Sequence, residues 1–482
     1  MPNLKFFGDE QIPLEMHKVR MIQKLDLVPI ERRLEASTEA GNNTFLLKNK
    51  DIYLDMLTDS GVNAMSDRQV SSMLVADDSY AGSQSWDKCE KAIVDMFGMD
   101  HVLPVHQGRA AENILSRTLV TEGSVVPMNY HFTTSKVHVT LNGGTVEEIY
   151  YDHALDSVSD HPFKGNMDPD KLESLISAHG AKNVAFVRME AGTNLIGGQP
   201  HSVANLLEVS EICRSNNILL VWDTSLLADN LHFVKNREEK YAGVDTREII
   251  RTCADAVDII YFSARKLGCV RGGAICVRDH DLYMKMRDFV PLYEGFLSYG
   301  GMSIREIEAL AVGLEETYDE AMYSQGPIFI EYMVNELVKR GIPVITPAGG
   351  LGCHLDAMEF LKHVPVEEYR AGALASAMFI AAGVRGMERG TLSEQREPDG
   401  TEVYSKMELL RLALPRRVFT LSQVKYTIDR IDWLWHNREI VGGLKWTEEP
   451  PVLRFFFGRL EPTSDWQERL VAKFREDFGD SL

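Results

Sequence analysis

Short apolar runs recur between residues 86 and 280 of this chain, and segments with helical spacing separate them. The runs lie at residues 102–105, 184–187, 218–222, 259–262 and 274–277. A run without polar alternation reads as a strand buried on both faces. Such strands need helices above and below, and the intervening segments supply them. Cys89, Ile93, Met96 and Phe97 follow helical spacing from Trp86 until Gly98 stops the pattern; Val203, Leu206, Leu207 and Cys213 lie near a second stripe. Alternation of this kind predicts an α/β fold with a large, mostly parallel sheet. A long helical pattern around residues 301–340, with Ile307, Leu310, Val312 and Leu314, leads towards a smaller α+β unit punctuated by Pro343, Pro347 and Gly349-Gly350. The expected division is 1–66 as an N-terminal arm with part of the small domain, 67–320 as the large domain, and 321–482 as the small domain ending in a charged extension.

The chemistry gathers after the run Ile259-Ile260-Tyr261-Phe262, where Ser263, Arg265 and Lys266 precede a turn closed by Gly272-Gly273. A lysine just past a buried strand sits at the carboxyl edge of the sheet, where open α/β folds bind ligands. A desolvated lysine there can lose its proton and form a Schiff base; an ordinary surface lysine fits the same position. The run 218–222 ends on Asp223. An ionised Asp beside a pyridine nitrogen keeps that nitrogen protonated, as pyridoxal phosphate chemistry requires, although strand-end Asp residues also cap helices.

Composition narrows the classes. A net charge of −20 argues against a nucleic-acid or anionic-membrane surface. No apolar run approaches membrane-spanning length, and the start lacks a secretory apolar core. Six cysteines without a CxxC pair read as reduced thiols of a cytoplasmic protein, and the 14 histidines show no metal-binding spacing.

Four further stretches carry candidate site residues. His106-Gln107-Gly108-Arg109 follows a strand and opens a helix, whose first amides can take a phosphate. Phe132-Thr133-Thr134 follows another strand, and an aromatic there can stack on a planar ligand or simply fill the core. Asn194 lies in a polar loop, as a ligand contact or a turn former. Arg411 alternates with apolar residues and needs an anion, from a substrate or from the protein.

Longer motifs then coincide with a known family. Asp59-Ser60-Gly61-Val62-Asn63-Ala64-Met65-Ser66-Asp67, Tyr80-Ala81-Gly82-Ser83, His106-Gln107-Gly108-Arg109, Asn194-Leu195-Ile196-Gly197-Gly198-Gln199-Pro200, Tyr293-Glu294-Gly295-Phe296 and Tyr299-Gly300-Gly301 occur in one order over nearly the whole chain. The chain resembles the tyrosine phenol-lyase and tryptophanase family of pyridoxal-phosphate-dependent β-eliminating lyases. The resemblance implies fold type I of the pyridoxal phosphate enzymes (aspartate aminotransferase-like), with a seven-stranded large domain, a homotetramer built as a dimer of dimers, and an active site at a subunit interface. It implies that Lys266 carries the cofactor and removes the α-proton. Gln107, Gly108, Arg109 and Ser263 resemble the phosphate cup, Phe132 the stacking ring, Asp223 the pyridinium partner, and Asn194 a contact to cofactor and substrate carboxylate. Arg411 with Ser60 resembles the carboxylate clamp, and Tyr80 the acid that protonates the leaving aromatic carbon. Phe296, Phe455 and Phe456 are similar to substrate-pocket residues. Gly61 and Asp78 fall where the family binds a monovalent cation such as potassium, with Asp78 in place of the usual Glu.

Met387-Glu388-Arg389-Gly390, Phe455 and Thr133 match the phenol-cleaving branch, with Arg389 and Thr133 on the phenol oxygen. The expected reaction converts L-tyrosine to phenol, pyruvate and ammonia. Two departures stand near the cofactor. Leu226 replaces an Arg three residues after Asp223, and Leu267 replaces an Asp after the lysine. They motivate an alternative, a divergent member eliminating or replacing another group on a different amino acid. A non-catalytic scaffold that keeps the fold is the alternative of another class.

Overall fold

The computed structural model describes Phe6, residues 12–397 and residues 399–482. Contacts divide these residues into two compact units. The first comprises Ser60–Ala154 and His161–Pro327; the second comprises the described residues up to Asp59, Leu155–Asp160 and Ile328–Leu482.

The first unit is built on a seven-stranded sheet: β1 (His101–Val105), β2 (Val125–Met128), β3 (Thr145–Glu148), β4 (Val187–Glu190), β5 (Leu220–Asp223), β6 (Ile259–Ser263) and β7 (Gly273–Val277). The strand order is β1-β7-β6-β5-β4-β2-β3. Six strands run one way and β7 alone runs against its neighbours β1 and β6. Every residue of β2, β4, β5, β6 and β7 is buried, as strands covered on both faces require. At Gly273 a Cβ would come within 2.5 Å of the Phe262 carbonyl, so only glycine lets β7 close on β6.

Helices cover the sheet: α1 (Gln84–Phe97), α2 (Gly108–Leu119), α3 (Thr133–Leu141), α4 (Val203–Ser215), α5 (Leu227–Arg237) and α6 (Ile304–Glu316). Their boundaries follow local chemistry. Ser83 caps α1 by accepting from the Trp86 amide (3.1 Å), and Gly98 closes it in the left-handed region. The expected α1 stripe, Cys89, Ile93, Met96 and Phe97, is fully or nearly fully buried.

One strand expectation needs correction, and one strand was not expected. The run at 184–187 is not itself the strand: Val184 makes only an isolated bridge to Val125, and pairing with β5 occupies Val187–Glu190. The apolar pattern misplaced β4 because the strand contains Arg188 and Glu190, which bury as an ion pair. The edge strand β3, Thr-Val-Glu-Glu, is half-exposed and polar and gave no apolar run.

The second unit holds an antiparallel three-stranded sheet of β8 (Gly352–Asp356), β9 (Met387–Arg389) and β10 (Leu409–Ala413), with β10 central. Its core centres on α7 (Arg370–Ala382), buried along nearly all its length and ended by Gly383 at φ +67°. The charged C-terminal stretch is an integral part of this unit. There α8 (Trp466–Phe478) buries Trp466, Leu470 and Phe474, spaced four apart on one face. Buried Gln467 bonds Asn42 and Ser376. Phe474→Ala is expected to destabilise this unit by about 3–5 kcal/mol. Calorimetry checks it, and an unchanged unfolding temperature would mean that α8 is an appendage.

Candidate active site

Three parallel strands end side by side and place Glu190, Asp223 and Ser263 along one edge of the sheet. Glu190 is in register with Asp223, and Asp223 with Tyr261. Both carboxylate oxygens of Asp223 are engaged: Oδ1 accepts the Ser225 N–H (2.9 Å) and Oδ2 accepts Arg188 Nη2–H (2.6 Å). Lys266 follows β6 in a tight turn and donates its backbone N–H to the Ser263 carbonyl (3.1 Å). Its Nζ lies 5.6 Å from the centre of the Phe132 ring. Burial pushes the Glu190 carboxyl up to about 7; Arg188 pulls it down, Asp223 pushes it up, and Lys266 pulls it down. The lysine therefore lies within electrostatic reach of this edge.

The turn into α2 is the candidate phosphate site. Gln107 is fully extended and makes no side-chain cap, so the first amides of a 12-residue helix stay open to a ligand. A Cβ on Gly108 would sit 3.2 Å from Ser263 Cβ, so the glycine lets helix and strand end approach closely. The Ser263 amide is held by Ser225 Oγ (3.0 Å), and Arg109 is exposed at the mouth of the turn.

Phe132 ends the connection from β2 and leads into α3, its amide held by Ser135 Oγ (3.1 Å). Thr133 is buried, and its Oγ1 has no hydrogen-bond partner among the described residues. A buried hydroxyl of this kind awaits a polar ligand atom. Asn194 is also buried. Leu226 is buried against Gly192, where an added Cβ would meet its Cβ at 3.0 Å. Leu267 faces the core of the first unit.

A flat ring bearing an aldehyde, a phosphate and a basic nitrogen fits these groups. An amine (Lys266), an aromatic ring (Phe132), a carboxylate (Asp223) and a helix start at Gly108 are all present on one unit. Two further first-unit candidates adjoin Arg265, the residue before Lys266. Ser60 accepts from Arg265 Nε (3.1 Å), and the Gly61 amide donates to the Arg265 carbonyl (2.9 Å). The Arg265 guanidinium would meet a Cβ on Gly61 at 2.6 Å. Asp78 is exposed, with Arg305 Nη2 at 3.5 Å. Tyr80 is 67% exposed and stacks on Phe296, ring centres 5.6 Å apart, with Tyr299 at 5.3 Å. Tyr80 packs within this aromatic group, and its carbonyl accepts the Ser298 hydroxyl.

In the second unit Arg411 is buried at the centre of β10, where Nη2 donates to the Leu57 carbonyl (2.7 Å). Burial pushes the Arg411 guanidinium well below its ordinary range; Arg389 adds to this and Asp59 opposes it. His354 stands directly opposite Arg411 on β8 and stays neutral, pushed down to about 3 by burial and by Arg411. Arg389 is buried on β9. Phe455 is buried and Phe456 half-buried in one helical turn, 4.0 Å apart and both against Phe45.

Sequence reasoning missed Arg188, Glu112, Tyr261 and Arg265 as site neighbours. The available signal was Arg188-Met189-Glu190, two charges alternating with an apolar residue at the end of a buried run.

The family model described as "Beta-eliminating lyase" matches residues 55–429. This chain belongs to the β-eliminating lyase family. Among relatives of this lyase, the protein named tyrosine phenol-lyase from Intrasporangium calvum is 41% identical, over 93% of this chain and 95% of its own length. Those of the same name from Symbiobacterium thermophilum and Nostoc punctiforme are 39% and 38% identical, each over 93% of this chain and covering 99% and 96% of their own lengths. Among solved structures, a serine palmitoyltransferase from Sphingomonas wittichii superposes with a TM-score of 0.55 at 14% identity, covering 80% of this chain and 88% of its own. A second structure, titled as SPT with PLP, gives 0.57 at 11% identity over 86% of this chain and 98% of its own. These likenesses establish the fold expected from the sequence, a type I pyridoxal-phosphate-enzyme architecture.

Proposed function

We propose that this lyase cleaves L-tyrosine to phenol, pyruvate and ammonia with pyridoxal phosphate as cofactor. The observation that carries the reading is the near full-length identity to relatives named tyrosine phenol-lyase. When bound, pyridoxal phosphate supplies an electron sink for the carbanion at the substrate's α-carbon. Lys266 holds the cofactor and takes the α-proton on Nζ. The negative charge of Asp223 would keep the ring nitrogen protonated, Phe132 would stack on the ring, and Gln107, Gly108, Arg109 and Ser263 would bind the phosphate. Asn194, Ser60 and Arg411 orient the substrate carboxylate. Thr133 and Arg389 bind the phenol oxygen, and the Tyr80 hydroxyl delivers the proton to the leaving ring carbon. Phe296, Phe455 and Phe456 exclude water from the aromatic side chain.

The exposure of Tyr80 supports a homotetramer in which this acid serves a neighbouring subunit. Six buried, unpaired thiols support a cytoplasmic location, and no helix among the described residues is long and apolar enough to cross a membrane. A potassium ion at Gly61 and Asp78 completes the proposal; the Arg265 guanidinium beside Gly61 weighs against it.

Purified protein with pyridoxal phosphate is expected to release pyruvate from L-tyrosine. A second reading rests on Leu226, which puts an apolar side chain against the Glu190–Asn194 loop. Under that reading pyruvate comes from S-alkylcysteines or another β-substituted amino acid, and tyrosine gives none.

A further inference from the structure

A chain of buried polar groups runs behind the cofactor edge. Arg188, 2% exposed, uses all three guanidinium nitrogens. Its Nε donates to the Tyr261 hydroxyl (2.8 Å), its Nη2 to Asp223 Oδ2 (2.6 Å), and its Nη1 to Glu190 Oε2 (3.3 Å) and the Tyr130 carbonyl (3.5 Å). The Tyr261 hydroxyl donates to Glu112 Oε1 (3.3 Å), and Thr134 Oγ1 donates to Glu112 Oε2 (2.5 Å). Strands β4, β5 and β6 and helices α2 and α3 each contribute one or more members. Asp223 at one end and the Phe132-Thr133-Thr134 turn at the other are the two places assigned to the edge and the face of the cofactor ring.

We propose that Arg188 is a positioning residue that acts through Asp223. Its guanidinium fixes the carboxylate in one orientation and holds a positive charge on Oδ2. A proton shared between Asp223 and the ring nitrogen then stays on the nitrogen. Through Tyr261, Glu112 and Thr134 the same network sets the turn that carries Phe132. The arrangement is electrostatically closed. Burial alone would weaken the Arg188 charge, but Tyr261, Glu190, Asp223 and Glu112 outweigh it and raise its proton affinity well above the ordinary value. Burial lifts Glu112 to about 7, as it does Glu190, so the cluster tolerates three carboxyl groups around one cation.

The inference rests on Asp223 facing a pyridoxal phosphate ring, and the test separates the two claims. Arg188→Met and Arg188→Lys are loaded with cofactor labelled with ¹⁵N at the ring nitrogen, whose chemical shift reports protonation. Cofactor dissociation constants are measured by equilibrium dialysis. Wild-type protein is expected to show a protonated nitrogen. Arg188→Met is expected to shift it towards the unprotonated value, to weaken cofactor binding about ten-fold, and to lower kcat with little change in KM. Arg188→Lys, which keeps the charge, is expected to restore most of the wild-type shift, and it serves alone should Arg188→Met fail to fold. Wild-type-like shifts in every folded variant, or an unprotonated nitrogen in Arg188→Lys, would overturn the role of Arg188. Failure of wild-type protein to take up the cofactor would instead overturn the reading beneath it.

Discussion

Lys266→Ala is expected to fold and to lose its lyase activity. Proton transfer by a placed side chain contributes about 10²–10⁴-fold, and this variant loses the cofactor's covalent anchor as well. The fold should survive. Lys266 is half-buried in a turn, and its backbone N–H, which alanine keeps, ties it to β6. The Asp223–Arg188 pair and the Gly108 cradle do not depend on the lysine side chain. Circular dichroism matching wild type, with pyruvate release down by more than 100-fold, is the expected pair of results. A variant retaining a tenth of the activity would remove Lys266 from the mechanism.

Asp223→Asn is expected to damage both activity and stability. The amide cannot supply the negative charge that balances a protonated ring nitrogen. Loss of one preorganised electrostatic partner costs about 10²–10³-fold in kcat. The same change deprives Arg188 of its shortest ion pair, at 2.6 Å, inside a fully buried cluster. Breaking a buried pair on one side costs about 3–5 kcal/mol. The remaining partner, Glu190, stands farther from the guanidinium, at 3.3 Å against 2.6 Å. Thermal unfolding of the cofactor-free protein measures the stability loss separately from kinetics. An unchanged melting temperature would show that Glu190 suffices for Arg188.

The sheet and the amine at its edge were legible because their signals are local. Four of the five apolar runs marked buried strands, and the residues after two of them, Asp223 and Lys266, follow strands that end at one edge of the sheet. Gly108 was legible as the opening of a helix that could take a phosphate, whereas its close approach to Ser263 was not. The polar support was not legible. Arg188 and Glu190 interrupt an apolar pattern and shifted the expected strand by three residues, because their burial is made possible by each other and by Asp223, Tyr261 and Glu112, residues remote in sequence. Leu267 looked like a change at the cofactor, yet it is a core residue, since the turn after Lys266 points it inward. Leu226 is different: it packs on Gly192, two residues before Asn194. The charge pattern of residues 462–482 suggested an extension, while the every-fourth apolar positions Trp466, Leu470 and Phe474 carry the packing.

The central claim is a covalent link between the amine of Lys266 and a pyridoxal phosphate whose ring nitrogen meets Asp223. Adding pyridoxal phosphate to cofactor-free protein, reducing with borohydride and mapping the modified peptide by mass spectrometry tests it directly. A single pyridoxyl phosphate group on Lys266 is the expected result. Label spread over exposed lysines, with Lys266 unmodified, would contradict it.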